Sequence, residues 1–208
     1  NGFTTNPTLL RRAGVSDYEG FARAALEVVG DRPISLEVFA DEPSEIARQA
    51  RLLAGWGDQV VVKVPVTTTD GTSTHELVAD LAADGVRLNV TALMTPRQVA
   101  VVSAALGGGP PSYISVFAGR VADAGVDPLP IMAASIAIMA GEADQRLIWA
   151  SPREAYNYVQ AATIGCHVIT MTADLLAKLP TIGKSLDQFS LETVTMFRND
   201  AVASGYSL

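Results

Sequence analysis

Runs of β-branched and aliphatic residues alternate along this chain with longer stretches whose apolar residues recur every three or four positions. The first pattern belongs to strands buried on both faces, the second to amphipathic helices. Gly2–Pro7 reads as a short strand. Tyr18–Val29 reads as a helix, opened by Ser16-Asp17 and stopped by Gly30. Ile34–Phe39 is the next strand, and Pro43–Trp56 is a helix that begins on proline and ends at Gly57. Val60–Val66 is strongly β, and His75–Ala83 is helical with a stop at Gly85. Strand Arg87–Met94 precedes helix Pro96–Leu106, which the run Gly107-Gly108-Gly109-Pro110 breaks. Strand Tyr113–Val121, helix Pro128–Ala140, strand Leu147–Ser151 and helix Arg153–Ile164 follow. Strand His167–Thr172, helix Leu175–Leu179 and a final helix Leu191–Ala203 complete the pattern.

Such alternation predicts an α/β fold with a parallel sheet and helical crossovers. A (β/α)8 TIM barrel needs eight strands, and the pattern supplies seven. The chain opens abruptly on what reads as the end of a strand, so a first strand is expected upstream of Asn1. The alternative is an open doubly wound sheet. Neither GxGxxG after a first strand nor GxxxxGK[ST] is present to support it. Residues 1–208 form one barrel domain in this reading, with 185–208 as a C-terminal helical extension.

Composition narrows the function. Hydrophobic residues make up 49% of the chain and charged residues 18%, which supports a large core and excludes a disordered chain. A net charge of −7 argues against a general nucleic-acid binder and leaves room for a local phosphate site. Cys166 is the single cysteine, so neither an internal disulfide nor a multi-cysteine zinc framework is possible. The two histidines, His75 and His167, lie far apart and give no metal constellation, and the amine chemistry argued below needs no cofactor. No apolar run approaches the roughly 18 residues of a membrane helix, and no secretory signal is legible. A cytoplasmic protein is the expectation.

Buried parallel strands should be almost continuously apolar, yet each of these carries a polar residue. Asn6, Glu37, Lys63, Asn89 with Thr91, Ser115 and Ser151 fall in successive strands. Glu37, Lys63, Asn89 and Ser115 are each 26 residues apart, one βα unit per step. Equal steps predict a common level near the carboxyl ends of the strands, where barrel enzymes keep their sites. A buried polar group without a partner costs roughly 1–3 kcal/mol, so a purely structural chain gains nothing from such a layer. Each residue has a plainer reading. Lys63, in a chain with only three lysines, can snorkel its stem outwards. Glu37 can be its ion-pair partner, Asn6 a turn residue before Pro7, and Arg120 and Arg153 ordinary surface arginines.

The chemistry that fits the layer is amine catalysis. A desolvated lysine releases its proton more readily, and the neutral amine can attack a ketone to form an iminium, an electron sink for C–C cleavage. Glu37, one strand away, is suited to acid–base work. Amides such as Asn6 and Asn89 can hold sugar hydroxyls, and Arg120 with Ser151-Pro152-Arg153 can clamp a phosphate.

Taken together, Gly2-Phe-Thr-Thr-Asn-Pro-Thr8, Val61-Val-Lys-Val-Pro-Val-Thr67, Leu88-Asn-Val-Thr91, Ile114-Ser-Val-Phe-Ala-Gly-Arg120 and Ala150-Ser-Pro-Arg153 resemble the transaldolase family over essentially the whole chain. The resemblance implies a class I aldolase-type barrel with Lys63 as the Schiff-base lysine. It implies Glu37, Asn89 and Thr91 as the acid–base and water-holding set. It assigns Asn6 and Ser115 to the dihydroxyacetone unit, and Arg120, Ser151 and Arg153 to phosphate. Fructose-6-phosphate aldolases usually carry Gln and Tyr where this chain has Glu37 and Phe117. A phenol there can help protonate the enamine and release free dihydroxyacetone, whereas Phe117 cannot, which favours transfer to a second aldose. Sugar phosphates of glycolysis and the pentose phosphate pathway are the expected substrates, with neither nucleic acid nor membrane as partner and a homo-oligomer possible.

The chain also departs from the family pattern. The family's first strand carries an aspartate that handles the C4 hydroxyl proton, and Asp17 and Asp41 lie on connections instead. The Thr67–His75 connection is longer than usual, and Ser151-Pro152-Arg153 stands where Ser-Phe-Arg is common. Three rivals follow: an aldolase releasing dihydroxyacetone, a catalytically silent sugar-phosphate-binding barrel, and a metal-dependent aldolase, which two isolated histidines disfavour.

Overall fold

The computed structural model describes residues 2–206. Among these, seven parallel strands pair in chain order, β1 (Phe3–Thr4), β2 (Ile34–Glu37), β3 (Val60–Pro65), β4 (Leu88–Leu93), β5 (Ser112–Val116), β6 (Gln145–Trp149) and β7 (Val168–Ile169). Ten α-helices accompany them: α1 (Pro7–Arg12), α2 (Tyr18–Val29), α3 (Pro43–Ala54), α4 (His75–Ala83), α5 (Pro96–Ala105), α6 (Ala118–Asp123), α7 (Pro128–Ile138), α8 (Tyr156–Thr163), α9 (Ala173–Leu176) and α10 (Leu186–Ala203). The helix starts follow from sequence chemistry. Proline occupies the first turn of α1, α3, α5 and α7, where its fixed φ is favourable and its missing N–H costs nothing.

The sheet is curled. Strands in a flat sheet lie about 4.8 Å apart, so β2 and β4 would be separated by roughly twice that. Yet Asn89 Nδ2 on β4 donates to Ser35 Oγ on β2 at 2.9 Å, and Lys63 on β3 reaches the Thr5 carbonyl beyond β1 at 3.0 Å. Only a concave sheet brings the short Asn89 and Ser35 side chains together across β3. The result is a curled half-barrel of seven strands, as a (β/α)8 barrel lacking one strand would be.

Alternation along each strand divides two environments. Leu36, Val62, Val64, Leu88, Val90, Ile114, Val116, Leu147 and Trp149 face the helices and meet Ile46, Leu81, Val99, Val102 and Met132 in the main apolar core. Ser35, Glu37, Lys63, Asn89 and Ser115 face the hollow of the sheet, hydrogen-bonded in two sets, Lys63 with Glu37 and Asn89 with Ser35 and Ser115.

Several sequence expectations need correction. The strand Gly2–Pro7 shrinks to Phe3–Thr4, because Asn6 caps α1 through Oδ1 to Leu9 N–H at 2.9 Å and the chain turns helical at Pro7. The strand Tyr113–Val121 stops at Val116, and Val121 is buried on α6. The strand His167–Thr172 is trimmed to β7, and α8 begins at Tyr156 rather than Arg153. The helix expected at Leu175–Leu179 splits into α9 and a 3-10 turn at Leu179–Thr181. The last helix starts earlier than Leu191, at Leu186. No residue of α10 is buried, and its Leu191, Val194 and Phe197 are 66%, 61% and 64% exposed, so this helix does not cover the barrel within one chain. None of the described helices is long and apolar enough to cross a membrane.

Candidate active site

Parallel pairing puts Glu37, Lys63 and Asn89 side by side: Glu37 aligns with Lys63, and Lys63 with Asn89. Their equal spacing therefore becomes one row across β2, β3 and β4. Lys63 is 7% exposed, on a strand that is otherwise valine and proline. Its Nζ lies 3.0 Å from Glu37 Oε2 and 3.0 Å from the Thr5 carbonyl oxygen. A neutral lysine amine has two N–H groups and one lone pair. Two acceptors occupy two tetrahedral directions of the nitrogen and leave one for attack. Both plain and functional readings of Glu37 describe this geometry, since the carboxylate is at once ion-pair partner and nearest proton acceptor.

Asn89 has no exposed surface. Its Nδ2 donates to Ser35 Oγ and its Oδ1 accepts from Ser115 Oγ at 2.7 Å. Asn89 thus links the hydroxyls of β2 and β5 behind the lysine. Ser115 does not align with Asn89, however. Tyr113 does, and the register shifts between Val90 and Leu93, beside Ala92 at φ 67°. The 26-residue step to Ser115 therefore brings contact without register. Thr91, aligned with Pro65, is 3% exposed, and its hydroxyl has no hydrogen-bond partner among the described residues. Such an orphan costs about 1–3 kcal/mol unless a further polar group meets it. Asn6 is half-buried one residue beyond Thr5, with its amide oxygen committed to the α1 cap.

A second cluster forms where β5 and β6 end. Phe117 is half-buried at the turn into α6, and the Arg120 guanidinium lies 5.7 Å from its ring centroid with the arginine exposed. Ser151 follows β6 with φ +56°, a left-handed conformation that is costly for serine. A Cβ on Gly119 would lie 1.5 Å from the Ser151 carbonyl oxygen, so only glycine lets α6 approach this corner. Arg153 pairs with Asp123 of α6, which holds the Asp123 carboxyl below its usual range. The Arg153 amide donates to Asn157 Oδ1 at 2.7 Å. The long connection after β3 is ordered: Thr67 bridges Ser73, and Asp41 Oδ1 accepts from the Thr69 amide at 2.7 Å.

The structure thus assembles the predicted residues into two groups, Lys63 with Glu37, Asn89, Ser115 and Thr91, and Arg120 with Phe117, Ser151 and Arg153. Sequence reasoning missed Thr5, Ser35, Gly119 and Asp123. Ser35 had a signal, two residues before Glu37 on the same strand face; Asp123 had none before α6 was known to be helical.

The family model described as Transaldolase/Fructose-6-phosphate aldolase matches residues 1–207. A probable transaldolase of Streptococcus equi subsp. zooepidemicus is 36% identical over 180 residues, 86% of this chain and 79% of that protein. A probable transaldolase of Dehalococcoides mccartyi is 32% identical, covering 86% of this chain and 80% of that one. One from Aquifex aeolicus is 33% identical over the same share of this chain and 78% of its own.

Proposed function

This chain belongs to the transaldolase/fructose-6-phosphate aldolase family, and from that membership we propose that it is a transaldolase, moving a dihydroxyacetone unit from a ketose phosphate to an aldose through an imine on Lys63. The observation that carries the reading is the Lys63–Glu37 contact at 3.0 Å on an otherwise apolar strand. Glu37 takes a proton from the Lys63 ammonium, and the freed lone pair attacks the C2 carbonyl. Glu37 then returns its proton to the carbinolamine hydroxyl, which leaves as water and gives the iminium. The C4 hydroxyl then loses its proton, the C3–C4 pair passes into the iminium to give the enamine, and C4 departs as the aldehyde carbon of an aldose phosphate. Family resemblance assigns that proton to an aspartate on a strand ahead of β1. The enamine then attacks the carbonyl of a second aldose, and water returns to release the new ketose. Ser115, held by Asn89, and Asn6 serve the dihydroxyacetone hydroxyls, while Arg120, Ser151 and Arg153 serve the phosphate. Phe117 supplies no proton to the enamine, which favours transfer over release.

The test is reductive trapping. The protein is incubated with fructose 6-phosphate, reduced with borohydride, and mapped by peptide mass. A three-carbon adduct on Lys63, absent in Lys63→Arg, is expected. No adduct on the intact wild-type protein refutes imine catalysis and leaves the silent sugar-phosphate binder. Free dihydroxyacetone at equal rates with and without an acceptor aldose refutes transfer in favour of cleavage. We also assign the exposed apolar face of α10 to contact between copies of this chain. Light scattering on Leu191→Glu/Phe197→Glu should give a smaller particle than wild type, and equal masses would overturn the assignment.

A further inference from the structure

We propose that Tyr18 is a positioning residue for the Glu37 carboxylate, its hydroxyl standing in for the two backbone partners that β1 fails to give β2. The inference rests on Glu37 acting as the proton carrier for Lys63.

The ladder rule makes the gap visible. Phe3 N–H donates to the Pro33 carbonyl at 2.8 Å, and Thr5 N–H to the Ser35 carbonyl at 3.1 Å. One more step of the same parallel pattern would give the Glu37 N–H to the Thr5 carbonyl and the Glu37 carbonyl to the N–H of residue 7. Neither bond forms. The Thr5 carbonyl accepts from Lys63 Nζ at 3.0 Å, and residue 7 is proline, which has no N–H. Two backbone groups of Glu37 are therefore left over at the place where its side chain must be held. Tyr18 fills both roles with one atom. Its hydroxyl oxygen accepts from the Glu37 N–H at 3.1 Å and donates to the Glu37 carbonyl at 3.2 Å.

The phenol is itself well anchored. Tyr18 is the first residue of α2, directly after the cap Asp17, whose Oδ1 accepts from the Gly20 amide at 3.0 Å. Its ring meets Phe39 edge-on at 4.5 Å between centroids and Trp56 at 6.1 Å. Burial pushes the phenol up to about 12, so it stays protonated and able to donate across the working pH range. The chain thereby ties the end of β2 to α2 and fixes the backbone from which the carboxylate reaches Lys63. A displaced carboxylate would bind substrate as before and move protons more slowly.

The experiment is a double-mutant cycle on the full-length enzyme, reading kcat, KM and borohydride trapping at Lys63. Tyr18→Phe keeps the ring and removes only the hydroxyl. It should lower kcat about tenfold, in line with the cost of small misplacements of catalytic groups, and leave KM within about twofold. In a Glu37→Gln background the same change should cost less than about twofold, because Tyr18 acts through that carboxylate. Equal losses from Tyr18→Phe in both backgrounds would overturn the proposal, because a merely structural role gives that result. Hydrogen exchange on the unaltered protein provides a variant-free check. A slow Glu37 amide supports the Tyr18 bond, and rapid exchange refutes it. Failure of the imine reading is separately visible, as absence of trapping in wild type, and would remove both.

Discussion

Replacing the buried pair by methionine separates catalysis from stability. At 3.0 Å the attraction between Lys63 and Glu37 is roughly 5.5 kcal/mol at an effective dielectric constant of about 20. Desolvation of the two ions opposes it by several kcal/mol each, so the net contribution to folding should lie near zero. Removing one partner alone leaves a buried charge without its counter-ion, and such changes typically cost about 3–5 kcal/mol. Glu37→Met should reach that range, because the lysine left behind is only 9% exposed in its side chain. Lys63→Met should cost less, since the remaining carboxylate is 16% exposed and closer to water. For a chain of this size each kcal/mol is worth about 2–4 °C, so Glu37→Met should melt roughly 6–20 °C below wild type. The double variant replaces both charges by side chains of similar length and should lie within about 2 kcal/mol of wild type, on either side. The two variants that lack Lys63 should form no trapped adduct, and Glu37→Met should form it more slowly than wild type. Urea unfolding followed by circular dichroism and tryptophan fluorescence measures the cycle. A double variant that loses the sum of the two single losses would refute the reasoning. The pair would then contribute nothing by mutual attraction, and the cost would belong to the packing of each side chain.

Three further outcomes follow from the geometry. Gly119→Ala should destabilise the protein by at least about 3 kcal/mol, the upper end of overpacking penalties, because its Cβ would lie 1.5 Å from a backbone oxygen that cannot swing away; a melting temperature within a degree of wild type would contradict the contact. Ser151→Gly should raise stability by about 1 kcal/mol, since glycine adopts φ +56° without strain, while weakening ketose-phosphate binding if the hydroxyl touches phosphate; calorimetry and KM check the two halves separately. The Tyr18 phenol is raised from 10.0 to about 12. Its stabilising effect is therefore complete below pH 10, where both folded and unfolded phenols are neutral, and is lost as pH rises through 12, because the unfolded phenol ionises first. Absorbance titration at alkaline pH should show a late tyrosine that disappears in Tyr18→Phe, and an unchanged profile would refute the assignment.

The row Glu37–Lys63–Asn89 was legible because two consecutive βα steps have equal length and their strands pair without a bulge. Equal spacing then converts directly into register. The same step failed from Asn89 to Ser115, where the register shifts beside Ala92. The contact survived because level in a curled sheet is not register. Strands that tilt in a barrel bring staggered residues to the same height, so Ser115, two positions beyond the aligned Tyr113, still reaches Asn89. Element boundaries at the ends of the sheet were less legible for a related reason. A β-branched run says that residues can be extended, but the length of a strand depends on what its neighbour offers, and β1 loses its partner bonds as soon as Asn6 caps α1. The corner where α6 meets Ser151 illustrates the opposite limit: Gly119 and Ser151 depend on a close backbone approach that no local pattern announces. Tyr18 stands between these cases. Nothing in the helix Tyr18–Val29 marks its first residue as part of a site, because its partners are main-chain atoms. Its signal lies instead in Pro7, nearly a dozen positions away. A proline just past the end of a strand leaves a carbonyl on the neighbouring strand without its usual donor, and a buried carbonyl must find another. Reading the chain for missing donors, as well as for groups present, would have led from Pro7 to the Glu37 backbone, and from there to a search for a hydroxyl able both to give and to accept.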